Sequence, residues 1–435
     1  MMINTPFFTL LDPQAKIKGS RDPLGLQPLW TSLGRQVVRN LTTVTTSLRG
    51  FSVLILGLYF SERAIAEKNM SPEKMVELFL KFEQLAAYSR VAVQTAREGE
   101  YTEDEIRGIQ RVKKNLLGKR VWISAGATSQ ILSNQRTYGL WGLYTVAARN
   151  SNLIEPDAPR LTQEARAFVA AQYDNPKQLT TRESEQILGF LCKDQWFEPT
   201  GKDTKLARKL AELLGKKLTP DERNFYRKHL IECGADEHQS TLWHAMRKVT
   251  RAKHPFAMDD LRALRKHIHT NGHDELAKRL SRIQVAESVF GPAAHAFNFV
   301  LTCDGRTIEK AASDIKKTWG ANLRQIDPEA FTQVLDTLGG RADHTMRMRL
   351  ANLAVSLANG RYQQALELLI DQNKAVMQTR GGSEWVALKA DRVSVRFHEN
   401  AVALPVRDEL PDLWTNTYFL NSLKLIGYQV DGGAQ

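Results

Sequence analysis

Eight basic side chains, Arg107, Arg111, Lys113, Lys114, Lys119, Arg120, Arg136 and Arg149, stand between Ile106 and Ile154 without one Asp or Glu among them. Elsewhere acids and bases are mixed, so this gap makes a local positive field. Guanidinium and ammonium groups at that density suit phosphate oxygens, and a one-sign patch on helices of groove size is the footprint of a nucleic-acid backbone. Groups of another kind lie between the cations. Asn134 and Gln135, with Thr137 and Tyr138, offer donors and acceptors to base edges or sugars. Arg160, just beyond Ile154, would flank the same surface. The chemistry these residue types supply is binding.

Two further basic regions are weaker. Lys16, Lys18, Arg21, Arg35, Arg39 and Arg49 are offset only by Asp22 and are followed by the hydroxyls of residues 42–47. Threonine hydroxyls on a helix usually bond back to the preceding turn, which favours a structural role. Residues 202–279 hold eighteen Lys or Arg against eleven Asp or Glu, and this interleaving describes a solvated helix surface. Seven histidines fall in that region, but a metal site needs three or four converging ligands, and no such spacing occurs among them. Catalytic templates fail in turn. The chain has no GxxxxGK[ST] loop, no GxSxG elbow, no HExxH pair and no kinase motif set. We therefore expect no metal, no cofactor and no catalytic residue.

These side chains must be held by local structure. Thr102-Glu103-Asp104-Glu105 reads as a capping box opening a helix to Leu117. A β-like run follows at residues 121–124, then helices at 128–134 and 137–150. Leu153-Ile154 and Arg160-Leu161 would pair as a two-strand wing, and Thr162 caps a helix to about Tyr173. In that arrangement the third helix lies in a major groove while the wing touches the backbone. The third helix also carries Gly139, Trp141, Gly142, Leu143 and Tyr144, and glycines there cost about 1 kcal/mol each against alanine unless close packing needs them. A packing-only role for that helix is the alternative.

The rest of the chain reads as helix. Asn40 would cap a helix through the apolar run 51–60, which at ten residues is half the roughly twenty needed to span a membrane. Ser71-Pro72-Glu73 starts another. Residues 184–378 are helical between breaks that include His254-Pro255, Asn271-Gly272, Gly291-Pro292 and Gly360. Residues 350–377 are similar to one tetratricopeptide-type hairpin, without a second copy in register. Residues 385–397 form a β-hairpin around Ala390-Asp391, and Pro411 would open a closing helix through Ile426.

Length and composition bound the rest. The chain has 435 residues, 42% hydrophobic and 25% charged, with a net charge of +12. Several globular domains and a polyanionic partner fit these values. Cys192, Cys233 and Cys303 form no disulfide framework, which suits a reducing cytoplasm.

Residues 102–173 resemble the winged-helix domain of bacterial regulators, most closely where Leu153-Ile154 leads through a turn to Leu161-Thr162. The segments LDPQAKIKGSRDPLGLQPLWTSLGRQVVRNLTTVTTS and LPDLWTNTYFLNSLKLIG look like those of an uncharacterised bacterial family associated with phage-defence or mobile-element gene clusters. That resemblance implies a setting and carries no active residues.

The expectation is a mainly α protein: a multi-domain helical bundle with an embedded winged-helix-like module, a small C-terminal β-hairpin and a closing helix. Its spans would be 1–100, 101–175, 176–380 and 381–435. It would be a non-catalytic, cytoplasmic DNA-binding subunit of a bacterial antiviral complex, with partners from the same gene cluster and no membrane contact. A helical scaffold docking a helicase or nuclease, or an enzyme with an unrecognised site, are the alternatives.

Overall fold

A computed structural model describes residues 22–94, 99–232, 237–251, 254–397 and 403–433. Lys16, Lys18, Arg21 and Cys233 lie outside them. The described chain is mainly helical, with 18 α-helices and two small two-stranded sheets. It divides into two compact units, one of residues 1–37 with 256–418, the other of residues 38–255 with 419–435. The breaks drawn after residues 100 and 175 fall inside the second unit, and the one after 380 inside the first.

The second unit is built around the helix Leu48–Glu67. Every residue from Leu48 to Leu58 is buried, so the helix has no solvent face over its first three turns. A helix apolar all round has to be enclosed. Helices Met75–Ala92, Leu140–Asn150, Gln163–Gln172, Thr181–Cys192 and Leu420–Val430 pack on it. Its first turn takes partners from the end of the chain: Gln429 accepts from the Leu48 N–H (2.9 Å) and donates to the Thr46 carbonyl (2.7 Å). Asn40, expected as its cap, is instead fully buried, donating to Ser151 Oγ and accepting from Gln239. Arg49 is buried beside Glu222, which also accepts from Tyr173 Oη. This internal pair gives Arg49 a structural place, the role favoured for its region.

In the first unit, the 27-residue helix Asp274–Val300 runs unbroken through Gly291-Pro292, where a break was expected. Proline removes one helical hydrogen bond, but both residues are buried, Gly291 close against Leu413 and Thr415, and the helix continues through them. The adjacent Glu287 carboxylate accepts from the N–H groups of Thr415 and Asn416, the Asn416 amide and Tyr418 Oη. With those N–H groups committed, residues 413–417 are not helical, and the closing helix begins at Leu420 rather than at Pro411. Helices His344–Ala358 and Tyr362–Thr379 make the expected hairpin across Gly360. Strands Val386–Lys389 and Arg392–Val395 pair antiparallel around Ala390-Asp391, as the alternation predicted.

Replacing Glu287 leaves buried donors without an acceptor. Glu287→Ala should lower unfolding free energy by about 3 kcal/mol, read as the midpoint shift in urea. A loss below about 0.5 kcal/mol would show that solvent reaches those donors.

Candidate nucleic-acid interface

The basic segment starts later than its capping box implies. Glu105 bonds Thr102 as expected, but Gly108 at φ 75° interrupts the backbone, and the helix is Ile109–Leu116. Ile109 and Val112 are its buried face, which turns Arg111 and Lys114 to solvent. Lys119 ends the turn in the left-handed region, φ 62°, bonded to Leu116 O at 3.0 Å. Strand Val121–Ile123 follows and pairs antiparallel with Gln195–Phe197. Residues 128–134, expected as a second helix, form turns instead. The third helix is split at Gly139 into Gln135–Tyr138 and Leu140–Asn150, and Ile154 bridges Leu161 in place of a full wing.

Both glycines of that third helix answer to packing. A Cβ on Gly139 would strike the Gln135 carbonyl and the Glu83 carboxylate, and one on Gly142 the Thr137 carbonyl. Leu140, Tyr144, Ala147 and Ala148 are buried, with Tyr144 edge-on to Phe51 at 5.0 Å. Its outer positions, Gly142, Val146 and Asn150, carry no cation. One side of Leu140–Asn150 is therefore core, and its one cation, Arg149, is half-buried and bonded to the Glu155 carbonyl, which favours the packing role for this part of the helix over the major-groove placement.

The predicted site residues scatter into three groups. Gln135 leaves the site altogether. It is fully buried, donating to Glu83 (2.7 Å) and Leu80 O (3.0 Å) while accepting from Gln84 (3.2 Å). Asn134 is exposed but caps the short helix through the Thr137 N–H. A second group is met by acids from just outside the acid-free run: Lys113 by Glu100 (3.0 Å) and Arg160 by Glu155 (2.9 Å). Arg149 donates to the Glu155 carbonyl, and Arg107 is half-buried. The third group stays exposed: Arg111, bonded to Gln130 O, with Lys114, Lys119, Arg120, Arg136 and Tyr138.

Sequence reasoning missed two aromatic residues. The strand alternation sends Val121, Ile123 and Phe197 inward and puts Trp122 directly opposite Trp196 on the outer face. The indoles are 39% and 41% exposed and meet edge to face, 5.2 Å between centroids. Arg120 lies over Trp196, 4.5 Å from the ring centre. The signal was present as the apolar-Trp-apolar triplet Val-Trp-Ile and its partial echo Gln-Trp-Phe, but the second was lost in a stretch read as helix.

The ribbon is fixed from below by the helix Met75–Ala92. Gln84 donates to the Ser124 carbonyl (2.8 Å) and accepts from its N–H (3.2 Å). Lys81 reaches the Leu191 carbonyl (3.0 Å) and Asp194 (2.6 Å). No family model, curated protein or solved structure matches this chain. Among the described residues, no group of three or more His, Cys, Asp or Glu side chains is placed to hold a metal ion. No described helix is long and apolar enough to cross a membrane.

Glu83 is the titratable group on which this arrangement rests. It accepts from the Leu140 N–H (2.7 Å) and from Gln135, yet complete burial pushes its carboxyl up to about 7. The folded value lies above the ordinary 4.5, so its stabilising contribution is whole below that value and is lost as pH rises through about 7. The thermal midpoint should fall between about pH 5 and about pH 8, and Glu83→Gln should flatten that fall. Equal slopes in the two proteins would show that Glu83 titrates normally.

Proposed function

We propose that the protein binds nucleic acid, DNA in the first place, by its phosphate backbone and with little base specificity, as a non-catalytic component of a larger bacterial assembly. The observation that carries this reading is the exposed set Arg111, Lys114, Lys119, Arg120 and Arg136 on one acid-free segment. Phosphate contacts of this kind position a duplex without reading it. The supposed reading helix has its aromatic side packed away, which supports low specificity.

In this reading the segment is a winged-helix-like module adapted to another use. It keeps the order helix, strand, helix, bridged turn, helix. Its strand pairs with Gln195–Phe197 instead of with the wing. Contacts would then come from the helix Ile109–Leu116, the turn at Lys119 and the ribbon. The bacterial defence or mobile-element setting rests on the resemblance of the terminal segments alone.

Two variants test the proposal on the full chain. Reversing Lys114, Lys119 and Arg120 to Glu should abolish duplex binding at low salt, and unchanged affinity in a folded triple variant would discard it. Lys119→Gly removes a cation where glycine is the better residue. That variant should keep or raise stability, by about 1 kcal/mol. The slope of log affinity against log salt should drop by about one. An unaltered slope would exclude Lys119 as a phosphate contact.

A further inference from the structure

The ribbon carries a feature that backbone binding does not use. Two tryptophans face outward from a two-stranded ribbon whose other face is core, and each keeps about two fifths of its surface in solvent (39% and 41%). Exposed indoles in a cross-strand pair stabilise a ribbon by about 1 kcal/mol at most, and Val121, Ile123 and Phe197 already anchor this one. The neighbours of the pair are charged. Arg120 covers part of Trp196, Lys119 precedes it in the left-handed turn, and Lys193 is exposed two residues before Gln195. The carboxylates beside the ribbon are each already engaged: Asp194 by Lys81 and by Ser124 Oγ (2.9 Å), and Glu198 by Lys202 (3.7 Å).

We propose that Trp122 and Trp196 form a stacking platform for unpaired bases of a single-stranded nucleic acid, with Arg120, Lys119 and Lys193 holding its phosphates. The proposal rests on the backbone-binding reading above and names the strand state that the ribbon selects. An indole face accepts any base, so such a platform is indifferent to sequence. Bases inside a duplex are stacked on each other and present only their edges. The ribbon's outer face has two indoles at the positions where edge-reading donors would stand, which disfavours the duplex at this spot. Charge complementarity also favours a polyanion over an apolar peptide segment. The support from the helix Met75–Ala92 matters as well. The Gln84 amide clamps both backbone groups of Ser124, and Lys81 holds Leu191 and Asp194 at the same end of the partner strand, so both strands are tied to one helix and the indoles are presented by a fixed ribbon rather than by a loop.

The test uses the full chain with a labelled oligothymidylate of roughly 15 nucleotides, an oligouridylate of equal length, and a duplex of the same length, followed by anisotropy. The Trp122→Ala, Trp196→Ala double variant should bind both single strands about 10- to 100-fold more weakly and the duplex unchanged. Loss on only one of the two strands would assign the platform to DNA or to RNA. The Trp122→Phe, Trp196→Phe variant keeps the rings and should recover most of the affinity, which separates stacking from a folding defect. Saturating oligothymidylate should also quench tryptophan emission in the unaltered protein. Single-strand affinity unchanged in the folded alanine variant, while charge reversal at Lys114, Lys119 and Arg120 still abolishes duplex binding, would overturn the platform and leave the backbone reading standing. Absence of binding to any strand or duplex would overturn both. Self-association that disappears in the alanine variant, with no effect on single strands, would reassign the face to a second copy of the chain.

Discussion

A helix with no solvent face sets the terms for the larger unit. Leu48–Glu67 cannot be stable against water on any side over its first three turns, so five other helices must be spent on enclosing it. Burying a large apolar side chain is worth about 1.5–3 kcal/mol, and the run from Leu48 to Leu58 makes that demand at seven of its eleven positions. The consequence reaches the basic segment. Leu140–Asn150 is drawn in as one wall, with Tyr144 against Phe51 and its hydroxyl accepting from the Ser47 N–H. A helix committed in that way cannot also present its aromatic side to a groove.

The polar side chains of Met75–Ala92 do the complementary work. Lys81, Glu83 and Gln84 are all buried, and each is spent on a backbone or side chain of a neighbouring element. Lys81 takes the Leu191 carbonyl, Glu83 the Leu140 N–H, and Gln84 both backbone groups of Ser124. Buried polar groups are tolerated when fully bonded and then fix one arrangement. Three residues within one turn thus set the start of a helix and tie down both strands of a ribbon at one end. The exposed surface is what this interior scheme leaves over.

Local signals were legible in the sequence where the deciding contacts are local. The hairpin at 386–395 follows from alternation around Ala390-Asp391, and Ser71 and Thr162 cap where their spacing says they should. Errors fall where a distant group decides. Gln195–Phe197 is three residues long, and its partner lies some seventy positions earlier, so periodicity alone reads it into the flanking helices. Residues 413–417 have helical spacing, but Glu287 takes the N–H groups of Thr415 and Asn416. Gln135 looked like a base contact because it follows Asn134 on a basic segment, and nothing in its own neighbourhood reveals Glu83 or Gln84. Of the candidate interface, the cations were visible and the tryptophans were not. Charge is read from composition, whereas the pairing of two tryptophans needs strand register.

The acid-free run also changes meaning in three dimensions. A gap in sequence is not a gap in space: Glu100, outside the run, folds back to Lys113, and the Glu155 carbonyl just past its other end accepts from Arg149. The field therefore contracts to the cations near the helix Ile109–Leu116 and the ribbon. Each of these is solvent-exposed, and at physiological ionic strength charges more than about 8 Å apart act almost independently. Backbone attraction of that kind weakens steeply as salt rises, whereas stacking on an indole involves no counterion release. Arg120 belongs to both parts, its guanidinium carbon 4.5 Å from the centre of the Trp196 ring and its side chain exposed to solvent. A surface with one salt-sensitive and one salt-insensitive component would hold a strand under conditions where either alone would let it go.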